Sequence, residues 1–489
     1  MALILAIDQG TTNSKALLID ESGAVVARAS APVRVNYPQP GWVEQSPADI
    51  WQSVVKVIGE CVAAANRRTI AALGIANQRE SVLLWDRLSG QPIGPCITWQ
   101  CRRSAERIDK LRTPTFEQEV QATTGLGLDP LFPAAKIGWL LDAYPEARRL
   151  ATQGTLCAGT VDSWLIYNLT AGKVHATDFG NASRTQLFDI VAGQWSEALA
   201  TAFDVPLAIL PQPLSSDANF GVTGAVANLR DGIPIRAVMG DSHAALFGHG
   251  IRAPGPVKAT YGTGSSLMTL IDAPSAAASR LSTTIAWRLG NHTAFALEGN
   301  ITVSAQAAAW VASILGVAGV EKLTRLAEGV VSSEGVVFVP ALAGLGAPYW
   351  DSAARAAFTG MSLATTPAHL ARATFEAIAL QVHDVFSTME REVGRPLERL
   401  SADGGATGNE LLMQIQADII SRPVRCAKVA ELSAAGVAVL AGKQAGLWGD
   451  GGPAALGGYS AEYQPLMVED SRRALLAHWS SAIGSALRS

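Results

Sequence analysis

The feature that most constrains this chain is the stretch Leu5-Ala-Ile-Asp-Gln-Gly-Thr-Thr-Asn-Ser-Lys-Ala-Leu-Leu-Ile-Asp20. An apolar run from Ala2 to Ile7 breaks at Asp8-Gln9-Gly10, offers hydroxyls at Thr11 and Thr12, and resumes from Lys15 to Ile19. This reads as a strand, a tight glycine turn and a returning strand. Glycine at position 10 tolerates backbone angles that other residues resist, so the N–H groups of the turn can converge on one point and bind an anion. Thr11, Thr12 and Ser14 add hydroxyl donors, and Lys15 adds positive charge. Asp8 repels a phosphate unless a Mg²⁺ ion stands between them. The turn therefore fits a metal–nucleotide phosphate site, with a plain polar hairpin turn as the alternative on this motif alone.

With 489 residues, two domains are the default expectation. Apolar residues make up 48% of the chain, enough for large cores, and the formal net charge of −4 gives no basic excess to attract nucleic acid. No uninterrupted apolar run reaches membrane-spanning length, so no membrane insertion is expected. The N-terminus lacks a basic region followed by a cleavable apolar segment. The five cysteines are scattered without metal-ligand spacing, which favours a reduced, cytoplasmic setting.

Along the chain, Val25 to Ala29 reads as a third strand, and Ser46-Pro47-Ala48-Asp49 carries helix N-cap chemistry. Thr69 to Ala76 reads as the next strand and ends in Asn77-Gln78-Arg79-Glu80-Ser81. Polar and ionic residues at a strand end are where an α/β protein builds its site, although a solvated turn also fits Arg79-Glu80. Trp99 beside Arg102 and Arg103 either lines a polyol pocket or is a core tryptophan next to solvated charges. Pro234 to Met239 is a buried-strand candidate that stops at Gly240-Asp241-Ser242-His243. Asp241 there is either a general base or metal ligand, or a helix cap.

A second hairpin, Lys258-Ala-Thr-Tyr-Gly262-Thr-Gly264-Ser-Ser-Leu-Met-Thr-Leu-Ile271, repeats the pattern of the first. Two glycine–threonine turns, one in each half, suggest a duplicated domain with a nucleotide held between the copies, with chance resemblance of two glycine turns as the alternative. The step-three-and-four run Ala371, Phe375, Ile378, Val382, Val385 and Met389 is a long core helix closed by Gly394-Arg395-Pro396. Asp403-Gly404-Gly405-Ala-Thr-Gly408-Asn409 then forms a glycine-rich strand-to-helix turn, which lets a flat ligand approach the backbone.

Taken together these segments resemble the FGGY carbohydrate kinases, and within them glycerol kinases most. The resemblance is carried by Asp8-Gln-Gly-Thr-Thr12, Gly41-Trp-Val-Glu-Gln45, Asn77-Gln-Arg-Glu80, Gly159-Thr-Val-Asp-Ser-Trp164, Asn181-Ala-Ser-Arg-Thr185, Tyr261-Gly-Thr-Gly264, Gly344-Leu-Gly-Ala-Pro-Tyr-Trp-Asp351 and Asp403-Gly-Gly-Ala406. It implies an α/β chain of two actin-like (ribonuclease H-like) domains, residues 1–248 and 249–489, around a central cleft. It also implies ATP and Mg²⁺ as cofactors. Asp8 would hold Mg²⁺ through water, and Asp241 would share the metal and act as general base. Thr11, Thr12, Asn13, Lys15 and Thr263 would contact the phosphates, and Gly405 and Asn409 the nucleoside. Arg79, Glu80, Trp99, Asp241 and Ser242 would meet a small polyol or sugar, phosphorylated on a terminal hydroxyl. A homodimer is implied as well.

The departures from the glycerol-kinase pattern bear on substrate. Leu131 replaces a tyrosine, Ser242 a glutamine, Ser266 a phenylalanine and Cys101 an aspartate, while Ala305 and Ala309 replace a glycine and a glutamine on the nucleotide side. Arg79, Glu80 and Asp241 are kept. The expectation is retained chemistry on glycerol or on a four- to five-carbon polyol or ketose. A silent sugar-binding regulator on the same fold is the alternative, but it needs the loss of Asp8 or Asp241. An actin- or chaperone-type ATPase would leave Asn77-Gln-Arg-Glu80 unexplained.

Overall fold

The computed structural model describes residues 2–65, 68–274 and 279–487. The opening stretch forms β1 (Ala2–Gln9) and β2 (Asn13–Asp20), paired antiparallel with Asp8 opposite Lys15. β3 (Val25–Pro32) adds to β2 and runs three residues beyond the sequence expectation. Helix α1 (Pro47–Ala63) follows, with the Ser46 hydroxyl accepting from the Asp49 N–H at 3.2 Å, as its cap chemistry requires. β4 (Thr69–Asn77) returns parallel to β1, and β5 (Ile235–Gly240) joins parallel to β4. The sheet order is β5-β4-β1-β2-β3. Helix α2 (Asp241–Gly248) leaves the end of β5.

The second half builds β6 (Pro256–Tyr261), β7 (Ser265–Ile271), β8 (Ser282–Leu289), β9 (His292–Ile301), α3 (Ala305–Ile314), α4 (Pro367–Val393), β10 (Arg399–Asp403), α5 (Glu410–Ile420), β11 (Val424–Ala427), α6 (Leu432–Gln444) and β12 (Tyr459–Tyr463). Its sheet order is β8-β9-β7-β6-β10-β11-β12. Within it, β9-β7-β6-β10-β11 repeats β3-β2-β1-β4-β5 strand for strand. Three antiparallel strands come first in chain order, and two parallel ones then extend the sheet beyond the first strand. The similarity of the two hairpins in sequence thus reflects a repeated sheet.

Strand alternation assigns the layers. Leu3, Leu5 and Ile7 face α1, packing with Val54 and Ile58. Ile4 and Ala6 face the other way, against Ala434, Val437 and Ala438 of α6. Helix α6 belongs to the second half yet lies on the first sheet beside α2. The approach is close enough that a Cβ at Gly436 would stand 1.9 Å from the Ala244 carbonyl oxygen, and one at Gly74 would stand 2.6 Å from that of Val437. The halves therefore meet through backbone, and at the start of α6 the Ser433 hydroxyl donates to the Asp241 carbonyl at 3.0 Å.

One largely enclosed group is expected to make folding pH-dependent. His175 stacks edge-on against Trp85, with ring centroids 5.1 Å apart, and its Nε2 lies 3.0 Å from the Ala158 carbonyl. Burial pushes its imidazole from 6.5 down to about 4. The folded pKa lies below the unfolded one, so this stability is complete above pH 6.5 and is lost as pH falls toward 4. In urea unfolding between pH 7 and pH 4.5, the native chain is expected to lose about 2 kcal/mol more than His175→Asn. Equal losses in the two chains would refute this assignment.

Candidate active site

The first glycine turn is held by amides. The Gly10 N–H donates to the Asn13 carbonyl at 2.9 Å. Gly10 does not adopt a left-handed backbone, contrary to the expectation for this turn; a Cβ there would lie 3.1 Å from the Asn13 oxygen, so the residue is small because the turn closes on it. Gln9, Gln45 and Gln78 are buried together. Gln78 Nε2 donates to Gln9 Oε1 at 3.0 Å and to Gln45 Oε1 at 2.9 Å, and Gln45 Nε2 donates to the Thr11 carbonyl at 2.7 Å. Trp99 Nε1 donates to Thr11 Oγ1 at 3.0 Å, which ties that half-exposed ring to the turn. Thr12 is exposed at the tip, its Oγ1 accepting from Asn13 Nδ2 at 3.2 Å.

At the base of the turn, burial pushes the Asp8 carboxyl up to about 7, with Asp241 and Glu431 adding to the rise and Lys15 opposing it. Two carboxylates near enough for their charges to interact, with a lysine nearby, fit Mg²⁺, which commonly takes one or two carboxylates and completes its shell with water and phosphate oxygens.

Asp241 is the first residue of α2, where the helix N-terminus favours a carboxylate. Its Oδ1 accepts from the Ser242 N–H at 2.6 Å. Burial raises its pKa, Arg79 opposes the rise and Glu80 adds to it. Arg79 and Glu80 extend from the end of β4, Glu80 in the left-handed region at φ 60°. Neither is solvated: they are 7% and 5% exposed. Gly240 makes room for this arginine, since a Cβ there would stand 2.5 Å from Arg79 Cγ. Arg79 Nε lies 3.4 Å from Asp241 Oδ1, and Arg184 Nε donates to Glu80 Oε1 at 2.6 Å.

In the second half, Thr263 lies in the β6–β7 turn, its carbonyl accepting from the Ser304 N–H at 2.8 Å at the start of α3. Gly405 stands in open space at the turn after β10. Asn409 caps α5, accepting from the Leu412 N–H at 2.9 Å, while its Nδ2 donates to Thr324 Oγ1 at 2.8 Å.

The family of carbohydrate kinases called FGGY matches the chain twice, its N-terminal domain over residues 3–248 and its C-terminal domain over residues 257–445. The chain belongs to the FGGY family of carbohydrate kinases. It is an ATP-dependent kinase of small polyols or sugars that works with Mg²⁺. It is 48% identical to the apulose kinase of Pectobacterium atrosepticum over 91% of this chain and 90% of that one. It is 44% identical to the glycerol kinase of Aromatoleum aromaticum over 99% and 98%. Its structure superposes on the crystal structure of Plasmodium falciparum glycerol kinase with ADP at a TM-score of 0.95 and 32% identity, covering 100% of this chain and 98% of that one. The two-domain actin-like fold is thereby shown.

In this FGGY kinase the strand ends carrying Asp8 and Arg79 are neighbours, since β1 and β4 pair in parallel with Asp8 opposite Ala76. Asp8 is near enough to Asp241 for the two charges to interact, and Arg79 pairs with Asp241. Arg103 does not join the site: its guanidinium stacks on Trp42 at 4.1 Å and Trp139 at 5.0 Å and pairs with Glu44. Cys101 is likewise buried structure, with Arg103 Nε 3.0 Å from its Sγ. Sequence reasoning assigned no role to Arg184, which lies in the Asn181-Ala-Ser-Arg-Thr185 motif, and passed over Glu298. Its signal was a single carboxylate closing the apolar run Phe295 to Leu297, just before Gly299. No single helix among the described residues is long and apolar enough to cross a membrane.

Proposed function

We propose that this kinase phosphorylates a terminal hydroxyl of a four- to five-carbon polyol or ketose, with Asp241 as general base. The observation that carries the reading is Asp241 at the N-terminus of α2, 3.4 Å from the Arg79 Nε and near enough to Asp8 for the two charges to interact. Phosphoryl transfer demands alignment and charge neutralisation, and one placed carboxylate can take the acceptor proton. Arg79 and Glu80 grip the acceptor hydroxyls with Trp99 and Ser242 at the rim. Thr11, Thr12, Asn13, Lys15 and Thr263 hold phosphate, and Gly405 with Asn409 borders the nucleoside. The side chain of Asn409 is already engaged as a helix cap, so it serves the nucleoside chiefly by placing the turn. Asp8 and Asp241 would hold Mg²⁺, which when bound neutralises phosphate charge.

The acceptor size rests on the wall. Ser266 stands beside the frame, its hydroxyl donating to Glu298 at 3.3 Å, and Leu131 sits next to Phe132, whose ring lies 5.2 Å from the Arg184 guanidinium. Where the resemblance to glycerol kinases places aromatic rings, this chain places smaller groups, and the apulose kinase relative supports a ketose. Residues 1–248 would carry the acceptor and 249–489 the nucleotide. Five buried, free cysteines support a cytoplasmic setting, and the homodimer rests on resemblance alone.

The test is ADP release with Mg-ATP over glycerol, erythritol, xylitol, xylulose, ribulose and apulose. A larger acceptor is expected to exceed glycerol in kcat/KM. The pair Leu131→Tyr and Ser266→Phe should shift preference back toward glycerol by about 10-fold or more. A strong native preference for glycerol would overturn the acceptor class.

A further inference from the structure

The cleft holds a carboxylate to which the reaction above assigns no work. Glu298, on β9 of the second half, is fully buried. Its Oε1 accepts from Arg79 Nη2 at 2.5 Å and its Oε2 from Arg79 Nη1 at 3.0 Å, a two-pronged pair. Arg184 Nη1 lies 2.9 Å from the same Oε2. Both arginines come from the first half, and each also reaches an acceptor-gripping carboxylate: Arg79 reaches Asp241, and Arg184 reaches Glu80. The five side chains form a line, Asp241–Arg79–Glu298–Arg184–Glu80, whose middle member alone comes from across the cleft. His243 Nε2, 3.4 Å from Arg79 Nη1, and the buried Lys258 complete the charged or titratable surroundings.

The geometry around Asp241 gives Glu298 a task. With both Nη atoms engaged by Glu298, only Arg79 Nε faces the base, at 3.4 Å, and that buried Nε has no hydrogen-bond partner. A guanidinium released from Glu298 would turn its fork onto the nearest carboxylate, since two-pronged arginine–carboxylate pairs are the favoured geometry. That carboxylate is Asp241. The base would then be tied up by two charge-assisted hydrogen bonds, and the Nε donor beside it would be lost to the acceptor oxygen. Stability alone does not account for the arrangement, because buried ion clusters repay their desolvation poorly compared with apolar packing.

Building on the roles proposed for Arg79, Glu80 and Asp241, we infer that Glu298 is a positioning residue for phosphoryl transfer. It holds Arg79 off Asp241 and keeps Arg184 on Glu80, and because it arrives from the second half, the acceptor frame is complete only with the halves closed on each other.

Glu298→Gln, Glu298→Asp and Arg184→Lys test this, assayed with Mg-ATP and either glycerol or xylulose, alongside ADP binding. Glu298→Gln is expected to cut kcat/KM for the acceptor by about 30-fold or more, with a raised acceptor KM, while ADP affinity stays within about threefold. Glu298→Asp should recover part of the loss, and Arg184→Lys, which keeps charge but loses the fork, should also raise acceptor KM. KM does not depend on the fraction of folded enzyme, so a variant that merely folds poorly would keep its native acceptor KM, and that result overturns the inference. Equal loss of acceptor and nucleotide binding overturns it too. Asp241→Asn run in parallel separates the two claims: an active Asp241→Asn sinks the general-base reading, whereas an inactive one beside a normal Glu298→Gln sinks only the role of Glu298.

Discussion

Asp241→Asn is expected to lower acceptor-dependent kcat by about 10²- to 10⁴-fold, the range lost when a general base is removed. The substitution keeps shape and keeps an oxygen for the Ser242 N–H, which now donates at 2.6 Å. It removes the negative charge that Arg79 faces at 3.4 Å and the basicity that accepts the acceptor proton. Asparagine matches aspartate in size and in helix propensity, so α2 should remain in place and the protein should fold. Nucleotide affinity, measured by ADP titration without acceptor, should change far less than turnover. A variant turning over within about threefold of the native chain would show that the acceptor proton leaves by another route.

Arg79→Ala is expected to damage both activity and folding. The guanidinium is 7% exposed and joins Glu298, Asp241 and His243. Against the cost of burial, Arg184 and Arg79 together hold the Glu298 carboxyl well below the usual range. Removing one arginine strands a fully buried carboxylate on a single partner, and breaking a buried pair in this way costs about 3–5 kcal/mol. Urea unfolding at pH 7 should show that loss. If Arg79 grips the acceptor as proposed, the acceptor should lose about 10²-fold or more in kcat/KM, because that donor is gone and Asp241 loses its cationic neighbour. Arg79→Lys should repair charge but not the fork, so it should regain stability more than activity. Full activity in Arg79→Ala would remove this arginine from the acceptor frame.

The two hairpins, the α1 cap, the long α4 helix and the turn before α5 could be read along the sequence because each is a local pattern. Alternating apolar residues, a cap side chain or a glycine at a turn acts within a few residues of itself. What the hairpins imply for the fold was readable for the same reason, since the repeated turn chemistry belongs to a repeated sheet. Pairings across the cleft were not readable. Glu298 and Arg79 are 219 positions apart, and nothing local to either names the other. Arg103 shows the converse: beside Trp99 it has the look of a binding residue, yet Trp42 and Trp139 enclose it from elements far along the chain. Asn409 likewise has a local duty, capping α5, that a motif reading passes over in favour of the ligand. The hydrogen bond from Trp99 Nε1 to Thr11 Oγ1 joins two segments 88 positions apart, a connection visible only in three dimensions.

The central claim is that the cleft transfers phosphate from ATP to a polyol or sugar through Asp241. The most direct test follows ADP release and phosphorylated acceptor together, with and without acceptor, for the native chain and Asp241→Asn. The account predicts that the native chain releases ADP in step with phosphorylated product, slows sharply without acceptor, and loses both signals in the variant. ATP hydrolysis at the same rate with and without every acceptor, or phosphorylated product formed by Asp241→Asn at the native rate, would contradict it.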